Sequence, residues 1–286
     1  MSNVYFITGA SSGFGAALAH AVLRRGDCAV LTARRAGALQ AIAAEYGERA
    51  LAVPLDVTDA RQRAQAIEQA LEHFGRIDVL ANIAGRGSLG AAEEFSPEQL
   101  RAQMEVNFFA AAELTRDLLP TFRAQRSGTI VQLTSIGGSY SAGGFSAYCA
   151  SKFALEGWSE ALRDEVAPLG MKVILVEPGA FRTEFAGDTN MRPDQRIEAY
   201  RPVIAPVEAY LYDGSGGQPG DPARAADVMI AAIESASPPL RLVLGADAFA
   251  AWDGKIAAVS AELAAWRDRG SATAFPDSET KPIAGL

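Results

Sequence analysis

The chain has 286 residues, 49% hydrophobic and 21% charged, the balance of an ordinary globular protein with ample length for a sizeable core. Its net charge of −8 gives a nucleic-acid partner no electrostatic support. The longest uncharged stretch, Ser127–Ser151, is too rich in Gly and Ser for a membrane helix, and no basic-then-apolar leader is read at the N-terminus. Cys28 and Cys149 make no disulfide framework, which fits a reducing compartment and a cytoplasmic location. His20 and His73 read as surface or packing residues, so no metal is expected.

Strand and helix patterns alternate from the start. Val4–Thr8 reads as a strand, Phe14–Arg25 as a helix, Cys28–Ala33 as a strand and Ala36–Tyr46 as a helix. Strands at Ala50–Leu55 and Ile77–Asn82 flank a helix from about Asp59 to Phe74. Ser96-Pro97-Glu98-Gln99 is a helix start, with an N-cap Ser, Pro at the first helical position and Gln two further on; that helix is predicted to run to about Arg123. Thr129–Thr134 is a strand, Ala147–Ala167 a helix and Lys172–Val176 a strand. Asp221-Pro222 starts another helix, Leu240–Leu244 is a short strand, Ala248–Asp268 a final helix, and a loose tail follows Ala272. Buried, Val/Leu/Ile-rich strands alternating with helices predict an α/β, doubly wound fold: a mostly parallel sheet with helices on both faces. The Gly-rich run after Asp213 reads as a loop within one domain.

In such a fold a ligand lies at the carboxyl ends of the strands, where strand order reverses. Gly9-Ala-Ser-Ser-Gly13-Phe-Gly15 follows the first strand and opens a helix, where a dinucleotide's phosphates bind. Gly9 turns the chain, and Gly13 and Gly15 let backbone and helix approach the pyrophosphate. The second strand ends Thr32-Ala33-Arg34-Arg35, with no acid to hold ribose hydroxyls. An arginine there can grip a 2′-phosphate, so NADP(H) is expected over NAD(H), through Arg34 first and Arg35 second. Asp56 can hydrogen-bond an adenine amino group, and Asn82, Ala84 and Gly85 end the fourth strand beside the cofactor cleft.

Tyr148 and Lys152 are four residues apart and share one helix face. A tyrosine of reference pKa about 10 is a poor base at neutral pH, and a nearby ammonium favours its phenolate. Ser135 can orient a substrate oxygen. Asn107 either bends its helix or holds a water for a proton relay to Lys152, or is an ordinary capping or exposed residue.

These residues together resemble the short-chain dehydrogenase/reductases, in their shorter, single-domain branch, from about residue 3 to 185. Thr8-Gly9-x-x-x-Gly13-x-Gly15 is similar to that family's cofactor turn, which adds Ser11, Ser12 and Phe14 to the expected contacts. Asp56-Val57 resembles its adenine-pocket pair, Asn107, Ser135, Tyr148 and Lys152 its catalytic tetrad, and Pro178-Gly179 with Thr183 its nicotinamide-end segment. Ile83 departs from the family, which usually has a second Asn there. The resemblance implies a seven-stranded Rossmann fold, reversible hydride transfer at an alcohol or ketone carbon, Lys152 on the nicotinamide ribose, and a homodimer or homotetramer. It implies one domain over 1–286: a cofactor-binding and catalytic core at 1–185, a substrate lid at 186–220, and C-terminal helices and tail at 221–286. An intact tetrad favours an enzyme over the alternative, a non-catalytic NADP(H)-binding sensor.

The lid region carries Phe185, Met191, Tyr200, Tyr210 and Tyr212, with Pro193, Pro202 and Pro206 breaking long helices. These aromatics either pack the lid on the body or receive a hydrophobic small-molecule alcohol or ketone, with Ile136 and Phe145 lining the same pocket. Cys149 is expected to be a buried or interface thiol. The apolar positions Phe249, Trp252, Ile256, Val259, Leu263 and Trp266 are expected to pack on the body or on a partner subunit.

Overall fold

Near-continuous apolar strands bury both of their faces, and that requirement organises the fold. The computed structural model describes residues 2–187, 189–275, 278, 279 and 281. In chain order the elements are β1 (Val4–Thr8), α1 (Gly13–Arg24), β2 (Cys28–Ala33), α2 (Ala36–Tyr46), β3 (Ala50–Pro54), α3 (Ala60–Phe74), β4 (Val79–Asn82), α4 (Pro97–Met104), α5 (Ala110–Gln125), β5 (Gly128–Leu133), α6 (Ser146–Val166), β6 (Met171–Pro178), α7 (Arg201–Glu208), α8 (Pro222–Glu234), β7 (Arg241–Leu244) and α9 (Ala246–Ser271). The strands form one seven-stranded sheet in the order β3-β2-β1-β4-β5-β6-β7. Every neighbouring pair is parallel.

Alternate strand residues feed two separate cores. Tyr5 and Ile7, Ala29 and Leu31, and Val79 and Ala81 pack with Leu18 and Val22 of α1, Leu39 of α2 and Ile230 of α8. Phe6, Val30, Leu80 and Ile130 face the other way, onto Ala66 of α3, Leu114 and Phe122 of α5 and Leu162 of α6. Helix starts follow their caps. Asp59 accepts from the backbone of Arg61 and Gln62, and Ser96 and Gln99 form the reciprocal pair read from their spacing.

The long helix predicted from Ser96 to Arg123 is interrupted. One π-helical turn, Glu105–Phe109, separates α4 from α5, and Asn107 lies inside it. Such a turn inserts an extra residue and shifts the helix face, a feature hydrophobic periodicity does not reveal. In the segment expected as a lid, α7 is only eight residues long, with Pro202 in its first turn and Pro206 within it. Much of the expected loose tail lies outside the described residues. Among the described residues no helix is long and apolar enough to cross a membrane.

The chain reverses direction across the sheet between β1 and β4, which opens a crevice above their carboxyl ends. Thr8 closes its floor: its Oγ1 accepts from Ile83 N at 2.9 Å and Ala84 N at 3.0 Å. Gly9 then turns with φ +66°, in the left-handed region. A Cβ on Gly15 would lie 2.2 Å from the Gly9 carbonyl oxygen, so α1 sits against the turn without room for a methyl group. Gly15→Ala is expected to destabilise the fold by about 2–3 kcal/mol or more in urea unfolding. Gly254→Ala, at an exposed helical site with nothing within 4 Å of the added carbon, is expected to stabilise by about 0.5–1 kcal/mol.

Candidate active site

The crevice deepens into a cavity of about 1310 Å³ along the carboxyl ends of the strands. Its walls include Gly9, Ser11, Ser12, Gly13 and Phe14 from the first turn, Arg34 and Arg35 after β2, and Asp56 and Val57 after β3. Ala84 and Gly85 follow β4, Ser135 and Ile136 follow β5, and Phe145, Tyr148 and Lys152 come from α6 and the residue before it. Pro178, Gly179, Thr183 and Phe185 close the remaining side.

Three expected site residues lie behind the walls. Gly15 packs α1 on the Gly9 turn. Asn82, expected beside the cleft, points into the sheet's other layer and is only 4% exposed. Its Nδ2 donates to Thr115 Oγ1 and Gln132 Oε1, each at 3.0 Å, and joins β4 to β5 and α5. It shares strand parity with Leu80 and therefore faces α5. Asn107 is buried and its amide makes three hydrogen bonds. Oδ1 accepts from Arg86 N at 2.9 Å, while Nδ2 donates to Arg86 O and Ser151 Oγ, each at 3.0 Å. That side chain braces the Gly85-Arg86 wall against α6, with both amide hydrogens engaged.

At the nucleotide end, Arg35 pairs with Glu184 at 3.6 Å, both exposed. Arg34 is exposed and makes no ion pair among the described residues. Arg86 lines the cleft as well. Burial and the nearby Arg34 charge hold its pKa below the usual arginine value. Its only sequence cue is its place directly after Gly85. A glycine turn and the N-terminus of α1 suit a dinucleotide's pyrophosphate, and the end of β2 carries Arg34 and Arg35 with no acid.

At the catalytic end, Ser135, Tyr148 and Lys152 converge in side chains 5–9% exposed. Ser135 Oγ accepts from Gly137 N at 2.9 Å, and its hydroxyl lies beside Tyr148. Lys152 Nζ donates to Leu133 O at 2.7 Å and sits 5.9 Å from the Tyr148 ring centroid. The phenol departs from expectation. Burial drives the Tyr148 pKa up, against a smaller opposing effect of the neighbouring Ser135 hydroxyl, so the free protein keeps the phenol protonated. Burial likewise pulls Lys152 down to about 8. Cys149 is buried beneath Gly137, and burial raises its thiol pKa too. From the segment after Phe185, Met191 and Tyr210 reach the cavity. The Tyr200 hydroxyl instead donates to Glu93, and that of Tyr212 to Asn190.

Behind this site lies an acidic cluster that the sequence did not disclose. Glu177 is fully buried, accepting from Trp252 Nε1 at 2.6 Å and Ser139 Oγ at 3.3 Å. Arg241 spans Glu177 at 3.2 Å and Glu156 at 3.4 Å and also pairs with Glu160. Glu156 is one turn along α6 from Lys152, and burial raises its pKa to about 7. The folded protein holds the Glu156 proton more tightly than the unfolded chain, whose carboxyl ionises near 4.5. This contribution to stability is complete below that value and is lost as pH rises through about 7. Lys152 acts in a separate window: its depressed pKa contributes stability at alkaline pH that is lost as pH falls through about 8. Glu156→Gln is expected to remove a fall in unfolding free energy of up to about 3 kcal/mol between roughly pH 5 and 8, read by denaturant titration at each pH.

The profile of the short chain dehydrogenase family matches residues 3–194. An oxidoreductase of Botryotinia fuckeliana is 38% identical over 276 residues, covering 96% of this chain and all of that one. A 3-ketodihydrosphingosine reductase of Bacteroides thetaiotaomicron is 40% identical over 188 residues, 66% of this chain and 67% of the relative. The crystal structure of a short-chain dehydrogenase from Streptomyces avermitilis superposes with a TM-score of 0.90 at 45% identity, covering 96% of this chain and 98% of that one. The chain belongs to the short-chain dehydrogenase family. It is an oxidoreductase of the class that works with a pyridine nucleotide.

Proposed function

We propose that this chain binds NADP(H) in preference to NAD(H) and transfers hydride between it and an alcohol or ketone carbon of a hydrophobic substrate. The observation that carries the reading is the convergence of Tyr148, Ser135 and Lys152 at one end of a cleft whose other end bears Arg34. Bound nicotinamide supplies or accepts the hydride. The rest of the chemistry belongs to the chain. In the reducing direction Tyr148 gives its proton to the carbonyl oxygen, and in the oxidising direction it takes one from the alcohol. Burial keeps the phenol protonated in the free protein, which loads it for reduction. Ser135 already accepts from Gly137 N, so its own proton is available to fix the same substrate oxygen. Lys152 offers the positive charge a Tyr148 phenolate would need, at a pKa low enough to exchange protons near neutrality. Asn107 acts as a positioning residue that sets the Gly85-Arg86 wall. Ile136, Phe145 and Phe185 supply the substrate's apolar surroundings, and the Phe185 ring packs edge-on to Tyr148 at 5.2 Å. Residues 186–220 serve as the lid over a core at 1–185, with 221–286 completing the single domain, and the chain assembles as a homodimer or homotetramer.

The direct test is NADPH oxidation over bulky ketones, aldehydes, steroids and quinones, with an NADP⁺-plus-alcohol arm. Tyr148→Phe is expected to lower kcat by about 10²–10⁴-fold while NADPH affinity, read by fluorescence titration, stays within roughly threefold. Retained turnover would sink the acid–base role. Arg34→Ala is expected to reduce kcat/KM with NADPH by about ten- to hundredfold and to leave NADH nearly unchanged. Wild-type efficiency with NADH equal to or above that with NADPH refutes the preference.

A further inference from the structure

α9 is 26 residues long, yet Ala248 is its one buried residue. Its root is fixed to the body: Trp252 donates to Glu177, and Ala180 N donates to Asp247 Oδ2 at 2.6 Å. From Ile256 to Ser271 every residue is exposed. Ile256 is 56%, Leu263 61% and Trp266 62% exposed. With Phe249, Trp252 and Val259 these residues recur at alternating spacings of three and four, the a and d positions of a heptad. The sequence left open whether this stripe meets the body or another subunit, and among the described residues nothing covers it beyond its root. An apolar stripe of this length exposed to water marks an interaction surface.

We propose that α9 pairs with α9 of a second copy as an antiparallel two-helix seam. The heptad spacing is that of a helix meeting one other helix. Charge then selects the register. With Ile256 opposite Val259 of the second copy, Lys255 faces Glu262 of the second copy, and symmetry repeats the pair. Leu263 then meets Trp252 across the seam, and Trp266 meets Phe249. Sliding one heptad, to set Ile256 against Trp266, would oppose Lys255 to Arg269 and Glu262 to its own copy. A parallel pair would crowd two bodies at one end, because both roots are fixed to their bodies. Anionic bilayers are a poorer occupant, because α9 carries four acids against three bases and interfacial helices are rich in Lys and Arg.

This surface rests on the proposed assembly and goes further by naming its interface. Sedimentation equilibrium of the full chain, with and without vesicles of phosphatidylcholine and phosphatidylglycerol, tests it. Wild type is expected to associate, and Leu263→Glu, at an exposed position, to halve the mass while keeping its near-ultraviolet circular dichroism. Lys255→Glu and Glu262→Lys are each expected to weaken association about fivefold, and the double exchange to restore it. A wild-type monomer overturns both assembly and surface. An associated Leu263→Glu variant of unchanged mass overturns the surface alone. A double exchange that fails to restore association overturns the antiparallel register. Wild type that stays monomeric and sediments with vesicles gives the stripe to the bilayer and overturns the proposal.

Discussion

An ammonium ion at Lys152 is held where only 5% of the residue meets solvent. It must recover from fixed protein dipoles the hydration it has lost. The Leu133 carbonyl, at the last residue of β5, provides this at 2.7 Å. That one hydrogen bond constrains much around it. α6 has to begin beside the end of β5, which brings Tyr148, one turn earlier, onto Ser135, two residues beyond the strand. The cost of burial remains visible in the lowered lysine pKa of about 8 and the raised tyrosine pKa beside it. The pair is therefore poised with the proton on the phenol. A ligand that brings positive charge or polar groups into the cleft changes that balance more than Lys152 does alone.

A second ring of polar groups braces these residues from behind. Asn107 ties the wall after β4 to α6 through Ser151, and the π-helical turn is what brings that amide into line. Farther back, Arg241 joins Glu156 on α6 to Glu177 on β6, and Trp252 reaches Glu177 from α9. A buried charge cluster of this kind is weak evidence of net stability, since burial offsets most of the attraction. Its geometric effect is more definite: the helix carrying Lys152, the strand leading to Pro178-Gly179 and the last helix meet in one cluster of ion pairs and hydrogen bonds.

Most of the alternating architecture was legible because each element carries its own period, two for the strands and about 3.6 for the helices. The glycine turn, Ser135, Tyr148 and Lys152 were legible for a related reason: in a parallel sheet every strand end arrives at the same edge. The direction of the Asn82 side chain was legible in its parity with Leu80, which assigns it to the α5 layer. The π-helical turn has no such signal, because a one-residue shift in hydrogen bonding leaves the apolar pattern almost intact. Glu156, Glu177 and Arg241 come from three distant segments and look like ordinary surface charges until the fold joins them. The depth of Tyr148 was equally hidden, so a neighbouring cation was weighed and the loss of water was not.

The nucleotide cleft begins with Gly9 and is closed by Asp247 and Ala251 in the first turns of α9. Its lining therefore joins segments far apart in the sequence. During synthesis the glycine turn leaves the ribosome early, long before β6, β7 and α9 exist to form the facing wall. Cofactor cannot meet its full lining until α9 has emerged, so it cannot serve as an early template for the nascent sheet. The first half must instead survive on its two apolar layers, and the finished cleft reports that translation has passed the last helix.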